Sequence, residues 1–100
     1  MRVISDKALR DFYNLYPLSK SSLKKWYTLV SKTNFSNFNE LRSVFPSADI
    51  VKNEKGHTLT IFNIHGNKFR LIALIDYEDK IIHIRHVLTH NEYDKEKWKK

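Results

Sequence analysis

Apolar residues recur at spacings of three and four through the first half of the chain, which is the spacing of an amphipathic helix. Ser5 and Ser19 stand where a hydroxyl can cap a helix start, and Pro17 and Pro46 stand where a helix has to end. The pattern therefore predicts three helices, within residues 5–16, 19–33 and 36–45.

After Pro46 the period changes to two, and β-branched residues become frequent. This alternation predicts strands at residues 48–51, 58–65, 68–77 and 80–88, and the short segment 2–4 is typical of an edge strand. Helices followed by a run of strands predict an α+β fold, with N-terminal helices packed on one face of a small antiparallel sheet. A chain of 100 residues forms one domain, 1–100.

The segment "NIHGNKFRLI" indicates a hairpin turning at Gly66-Asn67. Asn67 is expected to serve the turn, since Asn tolerates left-handed backbone. Directly paired residues project to the same side of a sheet. This pairing gives an apolar face for the helices to cover, formed by Phe62, Ile64, Phe69, Leu71 and Ala73. The opposite face receives Asn63, His65, Lys68 and Arg70.

A second turn is predicted at Glu78-Asp79, so that Ile75 pairs with Ile82 and Ile72 with Arg85. With this pairing, the alternation of side chains between the two faces continues into the last strand. The basic face then gains His83, Arg85 and Val87, whereas the helix side gains Ile82, Ile84, His86 and Leu88. An odd number of loop residues would instead place His83 and Arg85 on the helix side and His86 on the basic face.

The net charge is +7, and 13% of the residues are aromatic, which favours a polyanionic partner: nucleic acid, an anionic membrane surface or an acidic protein. Lys24 and Lys25 lie away from the apolar stripe of the second helix, and we expect them to contact RNA backbone without sequence preference. The C-terminal "DKEKWKK" is predicted to be a solvated tail.

Several classes of chemistry are disfavoured by what the chain lacks. It has no cysteine, which excludes disulfides, thiolate metal sites and a Cys nucleophile. His83, His86 and His90 do not have zinc-site spacing, and Gly-rich phosphate loops and paired carboxylates are missing. We therefore expect no metal or cofactor. No leader-like or membrane-length apolar run is visible, so the expected location is the cytoplasm, without a membrane partner.

Metal-free RNA cleavage fits the residue types between positions 65 and 93. Attack of a 2′-hydroxyl on the adjacent phosphate needs proton transfer and cations for the phosphoryl oxygens. Arg binds two phosphate oxygens at once, His transfers protons near neutral pH, and Tyr donates a proton or stacks on a base. His65 is a further candidate base, although it sits at a hairpin tip.

The combination of "FNI-x-GNK-x-RL" (62–71) and "IR-x-V-x-TH-x-EYD" (84–94) resembles the HigB toxin family of bacterial toxin–antitoxin systems. "MRVISDKALRDFY" and "VFPSADIV" extend the likeness over nearly the whole chain. The resemblance implies a RelE-like fold and an mRNA interferase that cuts messages, commonly on the ribosome. It also implies a HigA-type helix-turn-helix antitoxin, whose complex with the toxin would bind operator DNA.

Matching motif positions transfer a candidate site to this chain. The matching positions are Asn67, Lys68, Arg70, Arg85, His90 and Tyr93. We infer from the residue types that Lys68, Arg70 and Arg85 bind the scissile phosphate. We expect His90 or Tyr93 to handle the proton or to stack on a base. His65, His83, Lys24 and Lys25 are expected to contact RNA. Tyr93 has a purely structural alternative as a packing residue, since Thr89 and Glu92 form a helix-start pattern.

Two other functions remain open from the sequence. The first is a non-catalytic RNA-binding module that uses the same basic face, and the second is a domain that binds an acidic protein. Cleavage of RNA distinguishes the enzyme from both.

Overall fold

The helices and strands follow the predicted order. The computed structural model describes residues 1–100. Strands β1 to β5 are Arg2–Ile4, Asp49–Lys52, Thr58–Ile64, Phe69–Asp76 and Ile81–Thr89. Helices α1 to α4 are Lys7–Leu15, Lys20–Lys32, Phe38–Val44 and His90–Asp94. Single 3₁₀ turns lie at Pro17–Ser19 and Lys97–Lys99.

The helix starts differ from the capping predictions. The first helical cap is Asp6 rather than Ser5, and its side chain makes no capping hydrogen bond to the helix backbone. Ser19 does precede α2, but its hydroxyl donates to the carbonyl of Tyr16 at 2.7 Å instead of accepting from the helix. Of the three N-terminal helices, α3 alone is capped by a side chain, because Asn37 Oδ1 accepts from the amide of Glu40 at 2.9 Å.

The five strands form one sheet in the order β1-β5-β4-β3-β2. Strands β2 to β5 are antiparallel neighbours, whereas β1 runs parallel to β5. The predicted α+β fold is confirmed, and the edge strand makes the sheet mixed rather than purely antiparallel. Because β1 pairs only with residues 81–83, the rest of β5 has no strand on that side.

One face of the sheet carries the helices. Trp26 of α2 meets Phe62 edge-on at 5.3 Å, and Phe12 of α1 meets Phe69 in the same way at 5.4 Å. These pairs belong to a core that joins the apolar stripes of the helices to the predicted apolar face of β3 and β4. None of the helices combines the length and the hydropathy that crossing a membrane demands.

The first hairpin has the predicted register: Asn63 pairs with Arg70 and Phe62 with Leu71. Its turn differs in one respect. The left-handed residues are His65, at φ 54°, and Gly66, at φ 64°, rather than Asn67. Glycine adopts such backbone readily, so Gly66 suits the turn, while His65 takes the conformation expected of Asn67.

The second hairpin follows the predicted register only as far as Ala73, which pairs with Ile84. A β-bulge then leaves Arg85 without a partner, and Ile72 pairs with His86 instead. One extra residue turns every later side chain of β5 to the opposite face of the sheet. Val87 consequently packs in the helix-side core and Leu88 on the other face, opposite to prediction. The predicted placement of His86 on the helix side was wrong for the same reason.

The second face of the sheet is partly covered. Leu59, Ile61 and Ile72 form a smaller apolar cluster with Trp98, which is only 5% exposed. The prediction of a solvated C-terminal tail was therefore wrong at Trp98, although most of its neighbours are exposed. Burial of an indole outweighs the solvation that the surrounding lysines and acids favour, because the charged heads can still reach water.

Candidate active site

Three of the predicted site residues meet where β4 and β5 pair near the first hairpin. Arg70 faces Leu88 across the two strands, and the amide of His90 donates to the carbonyl of Lys68 at 3.0 Å. Neighbouring strands lie about 5 Å apart, and residues two apart along a strand are separated by about 7 Å. The backbones of Lys68, Arg70 and His90 are therefore close neighbours at this end of the sheet.

Arg70 is a cation held inside the protein. It is 8% exposed, and its Nη1 donates to the carbonyl of Phe69 at 3.1 Å. Its guanidinium carbon lies 5.2 Å from the ring centre of Tyr93. No carboxylate pairs with it, as the four ion pairs of the molecule involve other residues. Most of its donors are thus available to an anion.

A short helix positions His90 and Tyr93. Thr89 accepts from the amide of Glu92 at 3.2 Å, and the Glu92 carboxylate accepts from the amide of Thr89 at 3.0 Å. This capping box is the one the sequence indicated, and it starts α4 directly after β5. Residues three apart then share one side of the helix, as predicted.

His90 lies in a shallow groove beside Lys68, Asn67 and Leu18. Its Nε2 is 3.2 Å from Oδ2 of Asp94, one helical turn later, and both side chains are exposed. A carboxylate at one ring nitrogen orients an imidazole and leaves the other nitrogen for proton transfer. Asp94 was quoted in the motif but was not predicted as a site residue; its spacing of four from His90 was the available signal.

Tyr93 has the packing role that the sequence left open as an alternative. Its ring is half-buried and contacts both Arg70 and Trp98, so it is a packing residue at the edge of the site. These protein contacts occupy the ring, which disfavours stacking on an RNA base. Trp98 itself was missed, because it lies in a segment dominated by charge.

Arg85 is not brought to this group. The bulge leaves it exposed beside α1, in a groove that includes Ala8, Asp11 and Leu15. The prediction that Arg85 shares a face with Arg70 stays a prediction, because Arg85 has no strand partner in the bulge. A guanidinium there can reach RNA backbone, but the geometry separates it from Lys68 and His90.

The remaining histidines are also outside the cluster. His83 lies on the second face, as predicted, opposite Leu74 and therefore about 13 Å along β4 from Arg70. His86 lies on that face too, contrary to prediction, in a groove with Glu92, Lys95 and Lys97. Burial, and then the charge of adjacent Arg85, lower the pKa of His86 below its ordinary value.

His65, Lys24 and Lys25 lie elsewhere. His65 is exposed at the hairpin tip, with its ring 6.5 Å from that of Phe69, a residue of the helix-side core. It was predicted on the opposite face, and its left-handed backbone breaks the alternation at this position. Lys24 lies over the ring of Tyr13 at 5.9 Å, between α1 and α2, and Lys25 is exposed on α2. The helix layer thus separates both lysines from Arg70. The structure contains no group of three or more potential metal ligands.

Comparison with known proteins agrees with the architecture and with the quoted motifs. Residues 19–96 match the HigB toxin family, described as the RelE-like toxic component of a toxin–antitoxin system. The mRNA interferase toxin HigB of Escherichia coli K12 is 37% identical over 94 residues, covering 94% of this chain and 88% of that protein. The mRNA interferase HigB of Escherichia coli O6:H1 is 30% identical over 95 residues, covering 95% and 90%. The chain therefore belongs to the HigB family of RelE-like toxins.

Proposed function

We propose that this chain is an mRNA interferase, an endoribonuclease that inhibits translation by cutting messages. The observation that carries the proposal is the convergence of Lys68, Arg70 and His90 on β4 and the end of β5, on a chain of net charge +7. The names of the curated relatives support the same activity.

The proposed reaction is an internal transfer at phosphorus. The 2′-oxygen attacks the adjacent phosphate, the bond to the 5′-oxygen breaks, and the products are a 2′,3′-cyclic phosphate and a 5′-hydroxyl. Arg70 binds two phosphoryl oxygens and Lys68 adds a second charge, which stabilises the transition state more than the ground state. No resident metal is needed, since these two cations supply the positive charge.

His90 is our candidate for proton transfer, either from the 2′-hydroxyl or to the leaving 5′-oxygen. It is accessible, it adjoins Lys68, and Asp94 orients it. Tyr93 keeps Arg70 in place through its ring. Arg85, His83 and His65 are assigned only to RNA contacts along the strand, and Lys24 and Lys25 to a separate contact on the helix layer.

The proposed partners follow from this assignment. Messages engaged on the ribosome would meet the sheet face, while rRNA would meet the basic helix layer. An antitoxin of the HigA type, with a helix-turn-helix domain, would neutralise the toxin in the cytoplasm, and operator DNA would be bound only by that complex.

The test uses two arginines, one from each motif. Wild-type protein, Arg70→Ala and Arg85→Ala are induced in cells, and RNA 5′-hydroxyl ends are mapped. We expect growth arrest and new ends with wild type and Arg85→Ala, and neither with Arg70→Ala. Arrest without new ends would favour the non-catalytic RNA-binding module, and an active Arg70→Ala protein would refute the site.

A further inference from the structure

The C-terminal segment after α4 is anchored to the sheet at two points. Trp98 packs on Leu59, Ile61 and Ile72. One residue later, the carbonyl of Lys99 accepts from the amide of Glu54 at 2.6 Å. The segment returns to the sheet because Glu96 adopts left-handed backbone at φ 58°, which reverses the chain after α4. Residues 97–100 lie beyond the stretch that matches the HigB family, which ends at residue 96.

Trp98 is joined to Tyr93 in two ways. Their rings are stacked, with centres 5.1 Å apart and planes 11° apart. The indole Nε1 of Trp98 also donates to the carbonyl of Tyr93 at 2.9 Å. A stack combined with a hydrogen bond fixes both the plane and the position of the tyrosine ring.

Tyr93 in turn contacts Arg70, whose guanidinium lies 5.2 Å from the ring centre. Arg70 has only one other polar contact, with its neighbouring carbonyl at 3.1 Å. No carboxylate fixes the guanidinium, so the tyrosine ring is one of the two contacts available to orient it.

We propose that Trp98 is a positioning residue for RNA cleavage, which holds the ring of Tyr93 against Arg70 so that the guanidinium faces the scissile phosphate. This inference rests on the proposed function for its catalytic consequence. Its structural part, the restraint of Arg70 by the C-terminal segment, can be measured without any RNA.

The experiment compares two buried tryptophans on opposite faces of the sheet. Trp98→Leu removes the stack, while Trp26→Leu removes a tryptophan that packs on Phe62 among the helices. Both variants should unfold at lower temperature. Below that temperature, Trp98→Leu should lower kcat about 100-fold, as a small displacement of a charged group at a reacting centre does, with a smaller change in KM. Trp26→Leu should leave kcat close to wild type.

Two further variants separate the aromatic stack from the hydrogen bond and from the bulk of Trp98. Trp98→Phe keeps an aromatic ring but loses the Nε1 donor, and we expect it to restore most of kcat. Tyr93→Leu leaves Trp98 in place and should reproduce the loss, which keeps the test available if Trp98→Leu does not fold.

An NMR measurement makes the outcome independent of activity. With its guanidinium 5.2 Å from the ring centre of Tyr93, Arg70 should show an Nε–H signal shifted by the ring current. We expect that signal to move towards the position of a free guanidinium in Trp98→Leu and Tyr93→Leu but not in Trp26→Leu. If wild type cleaves no RNA while this signal behaves as stated, the proposed function fails and only the restraint of Arg70 by Trp98 and Tyr93 stands. An unmoved signal and an unchanged kcat in folded Trp98→Leu would overturn the inference.

Discussion

At the scale of single residues, the main feature is a buried cation without a counter-ion. Withdrawing a charge from water costs several kcal/mol even after the protein relaxes, whereas a desolvated cation–π contact returns about 2 kcal/mol. Arg70 is 8% exposed and has only the Phe69 carbonyl and the Tyr93 ring to offset that cost. A phosphate would supply the missing partner, so Arg70 is suited to binding rather than to stability.

Replacing Arg70 by methionine should therefore stabilise the protein and abolish cleavage. Met has a similar length, carries no charge and packs well against an aromatic ring. We expect Arg70→Met to raise the free energy of unfolding by about 0.5–2 kcal/mol, measured by urea denaturation. Arg85→Met, at an exposed position, should change it by less than about 0.5 kcal/mol. A destabilised Arg70→Met protein would contradict this view of the site.

The proton-transfer role of His90 and the positioning role of Tyr93 can be tested separately, by removing one chemical group from each side chain. His90→Gln removes the proton-transfer group and should lower kcat by about 10²–10⁴-fold, with little change in binding of a non-cleavable 2′-O-methyl RNA. Tyr93→Phe keeps the ring on Arg70 and loses only the hydroxyl, so its kcat should stay close to wild type. The opposite pattern in single-turnover kinetics would assign the proton transfer to Tyr93.

At the scale of elements, the bulge in β5 divides the strand into two parts. Residues before it keep Ile82 and Ile84 towards the helices, and residues after it turn Val87 towards the helices and Leu88 away from them. The bulge thereby directs the end of β5 so that α4 begins beside Lys68. It also moves His86 to the face where Glu92, Lys95 and Lys97 lie.

This position of His86 makes stability depend on pH. Burial and the charge of Arg85 lower its pKa in the folded state. At neutral pH both states hold a neutral imidazole, but below about 6.5 the unfolded chain takes up the proton more readily. The free energy of unfolding should therefore fall as the pH drops below that value.

The check is urea unfolding of wild type, His86→Gln and Arg85→Ala at pH 7.5 and 5.5. We expect His86→Gln to lose less stability than wild type between the two pH values, and Arg85→Ala to lie between them, because burial is the larger cause of the shift. Equal losses in wild type and His86→Gln would show that His86 does not contribute.

At the scale of the whole molecule, the basic residues predicted to contact RNA lie on two surfaces. One surface is the Arg70 side of the sheet, and the other is the helix layer that carries Lys24 and Lys25. The sheet lies between them, so one RNA strand in the active site does not contact both. Substitutions on the helix layer should therefore weaken the binding of a large RNA assembly without changing the rate of cleavage.

The variant Lys24→Gln/Lys25→Gln tests this separation. It should reduce the salt dependence of ribosome or long-RNA binding, lowering the slope of log K against log salt by about 1–2, and leave kcat on a short RNA unchanged. Lys52→Gln/Lys55→Gln removes the same charge at other exposed positions and should have a smaller effect. Equal effects of the two variants would mean that only net charge matters.

The sequence by itself determined the features that depend on neighbours along the chain. The helix and strand segments, the register of β3 with β4 and the capping box at Thr89 follow from spacing, turn length and side chains three residues apart. The basic composition and the two motifs likewise indicated the family and the position of Lys68, Arg70 and His90.

Only the tertiary structure decided the bulge at Arg85, the burial of Trp98 and the contact of Arg70 with Tyr93. Each depends on competition between residues far apart in the chain: a side chain is buried, or a register shifts, when packing against distant residues outweighs the local preference. The spacing of residues along the sequence does not show the outcome of that competition. For this reason the faces of the β5 side chains after the bulge, and the packing of the last residues, differed from prediction.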